Sequence, residues 1–329
     1  MNFFRNFLAS FLGSITALIL IISLGFFLLA GIASIATFDK NILQDQISSN
    51  SVLNLDLDKD IYDNIPITQE FEEILGVSPE IIKFLDLINA IEFASNNNDI
   101  KGINLKSQSP KMGWSQALTI RKSLQNFRDK GKFIYSYGDF FSQKGYYLAS
   151  VSDSIFLNPM GNIELRGLGA EVLYYKQLQE KYGFKMEVVR HGKYKSAVEP
   201  YLDDKMSEAN RNQIKSLLNS IWDGIANQIK LSRKISPENF IEVVDNLDAT
   251  FPENAYRNNI VDGIVSKTQY KHKLKRVLGI KSNEKLNSVS YLNIKNNSNF
   301  MKGTRNQIAI IYAQGPIIYG EGNESNIGQ

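Results

Sequence analysis

The chain opens on a long apolar run and then changes period. From Asn6 to Phe38 no residue carries a charge. Within that run, "SITALILIISLGFFLLAGIASIA" reaches the length of about 20 apolar residues that spans a bilayer. Arg5 precedes the run, and Asp39 and Lys40 follow it. One arginine and the terminal amine favour an N-terminus in the cytoplasm, with the bulk of the chain on the outer side. A cleaved signal peptide, ending at Ser34-Ile35-Ala36, would normally have an apolar core of only about 7–15 residues. An uncleaved single-pass anchor over residues 1–40 is therefore expected.

Beyond it the pattern alternates between period 2 and period 3.6. In "SVLNLDLDKDI", Leu53, Leu55 and Leu57 are separated by Asn54 and Asp56, the signature of a half-buried strand. "PEIIKFLDLINAIEFASNN" carries Ile81, Leu85, Ile88 and Ile91 at helical spacing. "IKGINLKS" reads as a strand. "GWSQALTIRKSLQNFRDKGK" reads as a helix with Ala117, Leu118, Leu124 and Phe127 inward, stopped at Gly131. The strand "KFIYSYGD", the short helix "SQKGYYLASVSD" and the strand "SIFLNP" follow. "EVLYYKQLQEKYGF" and "KMEVVRHG" predict one more helix and strand. A long helix then starts at the N-cap Ser207, with Ile214, Leu217, Leu218, Ile221, Trp222, Ile225 and Ile229 as a core-facing stripe. Strands alternating with helices imply crossover connections and a mainly parallel α/β sheet.

From Lys281 to Asn306 the chain turns to asparagine, serine and lysine with little periodicity. This predicts a linker over 281–306 after a first unit at 41–280. "NQIAIIYAQGPIIYGEG" then resembles the first strand at Val52, as if a second copy of the fold began at 307–329. Tandem duplication cut short is the expectation.

Composition narrows the chemistry. A net charge of +3 gives no case for nucleic acid. With no cysteine there is no disulfide framework, thiolate nucleophile or thiolate metal site. The two histidines, His191 and His272, do not make a multi-histidine metal site. No metal and no cofactor is expected. A Ser-His-Asp triad would need His191 as base, and no Gly-x-Ser-x-Gly elbow exists to hold a nucleophile.

A serine with a lysine base is the alternative. "RHGKYKSAVEPYLDDKMS" places Lys193 and Lys195 one residue apart in a glycine-containing turn ahead of the long helix. A lysine base must be neutral, so its pKa near 10.4 has to fall by about three units. Burial and a neighbouring positive charge can do that. Composition alone leaves Lys195 open between a solvated surface lysine and a base.

"GKYKSAVEPY" followed by "DDKMS" resembles the lysine motif of the signal peptide peptidase A (protease IV) family, in its long, duplicated form. The similarity extends through "SQKGYYLASVSDSIFLNPMGNIELRGLGAEVLYYK", the N-terminal apolar run and the renewed strand at Gln307. The resemblance implies a crotonase- or Clp-protease-like α/β layer fold, repeated twice. It implies that Lys195 is the general base of a Ser-Lys dyad acting on remnants of signal peptides. The bilayer and further copies of the same chain, as a homo-oligomer, are the implied partners. In the family the nucleophile sits in a Ser-Pro-Gly-Gly-Ser type loop of the second repeat, and no such loop occurs here. The equivalent stretch of the first repeat, "LKSQSPKMGWSQ", lacks paired glycines. Ser109, Pro110 and Gly113 look like remnants, and Ser107, Ser109 and Ser115 are read as structural. The expectation is a chain without its own nucleophile.

Two other classes compete. A crotonase-type acyl-CoA enzyme shares the fold class and could use Glu164 and Glu199, but it has no use for an anchor. A non-catalytic, membrane-anchored assembly module fits the missing serine.

Overall fold

The computed structural model of the protein describes residues 2–42, 47–64, 81–189, 191–295 and 309–312. Helix α1 (Asn2–Ile42) contains the apolar run. Its stretch Phe3–Leu28 is long and apolar enough to cross a membrane, and none of the apolar window within it is buried against the rest of the protein. At 1.5 Å per residue those 26 residues measure about 39 Å, against roughly 30 Å of bilayer hydrocarbon.

Strand β1 (Ser51–Asp56) is followed by two short paired strands, β2 (Ile61–Tyr62) and β3 (Ile82–Lys83). Helix α2 (Phe84–Asn96) buries Leu87, Ala90, Ile91 and Ala94. Leu85 and Ile88 are only half-buried, so the inward face is rotated from the expected one. Next come β4 (Ile100–Lys106) and α3 (Trp114–Asp129). In α3, Ala117, Ile120, Leu124 and Phe127 face the core, whereas Leu118 stays 44% exposed. At 100° per residue, position 118 lies off the face shared by 117, 120 and 124. Gly131, at φ 81°, turns the chain after α3 into β5 (Phe133–Phe141). Helix α4 (Gln143–Ala149) is capped by Ser142, whose hydroxyl accepts from the Gly145 amide. Strand β6 (Ser154–Ile163) is longer than its motif suggested.

An irregular arm follows, with only two short helices, α5 (Lys176–Tyr182) and α6 (Glu199–Leu202). The strand expected from Lys185 is not formed: the described residues from 185 to 192 have no regular structure. The Met186 amide instead donates to the Gln179 side chain at 2.9 Å. Helix α7 (Glu208–Arg233) begins on Ser207 as expected. Only part of its stripe is core. Ile225 and Ile229 are buried, Ile221 and Trp222 pack on the core's edge, and Leu217 is 59% exposed. Helices α8 (Pro237–Asp245) and α9 (Pro252–Arg257) lead to β7 (Gly263–Ile264) and the basic helix α10 (Lys267–Val277).

The expected linker at 281–306 needs correction. Its described part contains a strand, β8 (Ser288–Ser290), and a short helix, α11 (Tyr291–Lys295). Val289, Tyr291 and Ile294 are buried in the main core, so this polar stretch belongs to the first unit. Residues 296–306 lie outside the described residues. Of the expected second repeat, only 309–312 are described. They form no regular element, and Ile310 and Ile311 are exposed.

The main sheet has the order β7-β6-β5-β4-β1-β8, and every pairing is parallel. This is the mainly parallel α/β architecture expected. Strand β1 is an interior strand, paired on both sides by β4 and β8, which explains why Ser51, Val52, Leu53 and Leu55 are all buried rather than alternating cleanly. Along β5 the side chains alternate faces. Ile134 joins the main core, while Tyr135 and Tyr137 meet Phe156, Val265 and Tyr270 of a second cluster beneath α10.

Candidate active site

The lysine segment is an exposed loop anchored by a buried carboxylate. Gly192 takes φ 92°, a conformation that side-chain-bearing residues rarely adopt, and its carbonyl accepts the Lys195 amide at 3.4 Å. The Lys195 side chain is exposed, as is that of His191. Lys193 is exposed as well, and its ammonium lies 5.3 Å from the Tyr194 ring centroid. Lys195 does not follow a strand. It precedes the short α6, and the capped α7 comes after that.

Glu199 fixes this loop to the helix. Its side chain is 1% exposed. It accepts the Ser207 hydroxyl at 2.6 Å, the Ser207 amide at 3.3 Å and the Asn210 side-chain amide at 3.0 Å. A buried carboxylate needs such donors to offset lost hydration. The other side of the segment is held by α5. The Gln179 side chain donates to the Tyr201 carbonyl at 2.7 Å, and the Tyr175 amide donates to the Pro200 carbonyl at 2.6 Å. The Tyr175 and Tyr201 rings stack at 5.7 Å. Sequence reading missed Glu199 in this role. The available signal was an acidic residue eight positions before an N-cap serine.

Helix α7 is itself pinned from below by Arg121, which is 5% exposed. Its guanidinium donates to the Tyr147 carbonyl and, at 2.8 Å, to Ser150 Oγ. It also donates to the Gln228 carbonyl at 3.1 Å and Ser232 Oγ at 2.7 Å on α7. Burial pulls its pKa down to about 10. A second buried-side pair, Arg233 to Asp262 at 2.9 and 3.0 Å, holds the end of the same helix.

The loop after β4, which carries Ser107 and Ser109, is spent on structure. Ser107 is fully buried and its hydroxyl donates to the Gly145 carbonyl at 3.1 Å. A Cβ at Gly145 would come within 2.2 Å of the Ser107 carbonyl oxygen, so only glycine permits this approach. The Ser109 amide donates to the Asp58 carboxylate at 2.7 Å, and the Gly113 amide to the Gln116 side chain at 2.8 Å. An oxyanion hole requires amides aimed at a developing negative charge. Here one of them already faces an anion. Ser115 is exposed at the start of α3. Lys144 donates to the Met112 carbonyl and lies 5.4 Å from the Trp114 ring centroid, which closes the side of the loop. Ser107 is buried with its hydroxyl on the Gly145 carbonyl, whereas Lys195 is exposed.

The carboxylates of the acyl-CoA reading are also separate. Glu164 is 40% exposed and pairs with Arg166 at 3.2 Å, whereas Glu199 is committed to Ser207 and Asn210.

Comparison with known proteins then gives a consistent result. A family model described as peptidase family S49 matches residues 126–281, a range that includes Lys195 and begins after the serine-bearing loop. Protease 4 of Salmonella typhi is 30% identical over 273 residues, 78% of this chain and 43% of that protein. Protease 4 of Haemophilus influenzae is 29% identical over 325 residues, 94% of this chain and 52% of its own length. The chloroplastic serine protease SPPA of Arabidopsis thaliana is 31% identical over 225 residues, 66% of this chain and 32% of that protein. The chain thus spans about half, or less, of the length of these relatives. Among solved structures, a mutant of the 1510-N membrane-bound stomatin-specific protease aligns with a TM-score of 0.39 and 11% identity, covering 73% of this chain and 97% of that one. From the family match and these relatives, the chain belongs to peptidase family S49, the family of signal peptide peptidase A (protease IV).

Proposed function

We propose that this chain is the lysine-bearing unit of a membrane-anchored serine endopeptidase that degrades signal peptides after their release. The family match over residues 126–281 carries this reading, because it takes in Lys195 on a loop tied by Glu199 to a capped helix. The coverage of about half of each protease 4 relative supports a nucleophilic serine from a second peptidase unit. Residues 1–40 act as a single-pass anchor, with the N-terminus in the cytoplasm and the bulk of the chain on the outer side.

In the complete enzyme, neutral Lys195 takes the proton from the serine hydroxyl as oxygen attacks the scissile carbonyl. The resulting ammonium returns that proton to the leaving amine, and the acyl-enzyme is then hydrolysed by water with the same lysine as base. Lys195 is exposed in this chain, so acting as a neutral base requires a cover that removes it from water. The second unit and further copies in a homo-oligomer provide that cover. The exposed Leu173, Tyr182, Phe184 and Val189 of the surrounding arm support such an association. The engaged Ser107 hydroxyl and the Asp58-bound Ser109 amide support the view that the first-repeat loop is not a second active centre.

The test is hydrolysis of a synthetic signal peptide by the complete protein and its Lys195→Ala variant. The variant should lose at least about 10²–10⁴-fold in turnover with unchanged circular dichroism. The 329-residue chain alone should show no turnover. Near-normal turnover by Lys195→Ala would overturn the assignment.

A further inference from the structure

The edge of the sheet where the chain enters from α1 is basic. The strands are parallel, so the N-terminal ends of β1, β4, β5 and β8 share one edge. The entering segment is tied to that edge at several points. The Ser51 amide donates to the Asp99 carbonyl at 2.8 Å, and the Val52 amide to the Asn287 carbonyl at 3.0 Å. Asn287 Nδ2 donates to the Ser49 carbonyl at 3.2 Å. Asn50 Nδ2 reaches the Leu278 carbonyl, just past the end of α10, at 3.0 Å.

Around this entry point stand Lys101, Lys130, Lys132, Arg276, Lys281 and Lys285. Lys130 and Lys132 are held there by the end of α2: Lys130 Nζ donates to Asn96 Oδ1 at 2.6 Å, and Lys132 Nζ to the Asn97 carbonyl at 2.6 Å. Lys275 continues the patch on α10 and donates to the Ser282 carbonyl at 2.7 Å. Helix α10 reads "KTQYKHKLKRV", five cations without one acid. The acids of the same edge are Glu92, Asp99, Asp129, Asp153, Asp262 and Glu284, and beside Asp153 and Asp262 stand the further cations Arg128, Arg233 and Lys234. Asp153 is engaged by the Ile134 amide at 2.8 Å, and Asp129 by Gln125 at 2.7 Å. Cations outnumber acids, and Lys101, Lys130, Arg276, Lys281 and Lys285 are all exposed.

We infer that this edge is a docking face for an anionic lipid bilayer. The inference rests on the reading of α1 as an anchor. From Ile42 to Asn50 the chain spans at most roughly 28 Å, at about 3.3–3.6 Å per residue. A tether that short keeps the basic edge at high effective concentration near the surface. Lysine and arginine are drawn to anionic headgroups over about one Debye length, near 8 Å at physiological ionic strength, so docking is a contact interaction that salt reverses. The docked orientation has a consequence for the site. The strand C-terminal edge turns away from the bilayer, with the arm that leaves β6 and is tied to α4 through Gln143 and Gly167 at 2.9 Å.

The experiment reconstitutes the full chain into phosphatidylcholine vesicles with or without phosphatidylglycerol, and reads amine-reactive labelling of individual lysines. Lys101, Lys281 and Lys285 should label several-fold more slowly in the anionic vesicles and recover in high salt. Lys111, 65% exposed at the opposite edge, should be indifferent to lipid charge. The double variant Lys281→Glu, Lys285→Glu should lose the protection at Lys101. Equal labelling of the three reporters in both lipids overturns the docking face. The anchor has its own readout, co-flotation with neutral vesicles in high salt. Failure there sinks the anchor, while the labelling comparison still decides the docking face.

Discussion

Glu199 and Ser207 are joined twice, hydroxyl to Oε1 at 2.6 Å and backbone amide to Oε2 at 3.3 Å. The same hydroxyl accepts the Asn210 amide at 3.2 Å, as an N-cap should, so one serine closes the helix and holds the carboxylate. The loop bearing Lys195 ends on that carboxylate. Glu199→Ala removes it and leaves Ser207 and Asn210 donors buried without an acceptor, a cost of about 1–3 kcal/mol. Ser207→Ala should cost about 1 kcal/mol through the lost cap. Because either single variant already removes the hydroxyl–carboxylate bond, the double variant should be less destabilised than the sum of the singles. Urea unfolding measures all three, and strict additivity would mean the pair is not coupled. Limited proteolysis should also cut faster between residues 191 and 199 in Glu199→Ala.

Arg121 supports the same helix from its other half. Arg121→Met keeps the stem's packing but removes the donors that serve Ser150, Ser232 and two carbonyls, leaving Ser150 and the Tyr147 carbonyl only the bond they make to each other. We expect a loss of about 2–4 kcal/mol by denaturant unfolding, more than any exposed arginine would give. A change below about 0.5 kcal/mol, the usual range for surface substitutions, would show that the cluster rearranges freely.

Lys132 sits at the end of α2 with a pKa lowered to about 8, by burial first and then by the charges of Lys101 and Lys130. Its ordinary value is 10.5. The unfolded state therefore holds this proton more tightly, and its contribution to stability rises as pH climbs from about 8 to 10.5. Solvent screening at this half-exposed site keeps the effect small. Side-chain NMR of the lysine should find the titration near 8, moving upward in Lys101→Gln. A titration unmoved by that change would remove Lys101 as a cause.

How much of this was legible in the sequence depended on how local each cause was. Ser207 was readable as a cap because its partner, Asn210, lies three residues away. The order of strands and helices to Ile163 followed from periodicity, since each element carries its own pattern. The strand expected from Lys185 failed because a strand exists only by pairing, and composition does not say whether a segment finds a partner. Val289 looked like part of a linker because the partner that buries it, Leu53 in β1, is distant in sequence. The stripe of α7 is apolar from Ile214 onward, yet only its second half meets the core formed with Phe240 and Val243. At the site, the motif pointed to Lys195 by resemblance. The network that holds its loop, Glu199 with Ser207 and Asn210, required geometry.

The decisive prediction separates a base from a fixed charge at Lys195. In the complete enzyme, Lys195→Arg keeps a cation of similar reach on the same loop. Guanidinium does not release its proton at any accessible pH, so it cannot accept one from the serine hydroxyl. Signal-peptide hydrolysis by Lys195→Arg should therefore fall as far as in Lys195→Ala, by at least about 10²–10⁴-fold. Lys193→Ala should cost much less, because that ammonium rests against Tyr194 in the exposed turn and changes only the local potential. Near-normal turnover by Lys195→Arg would mean the side chain acts as a charge, and the general base would have to be sought elsewhere.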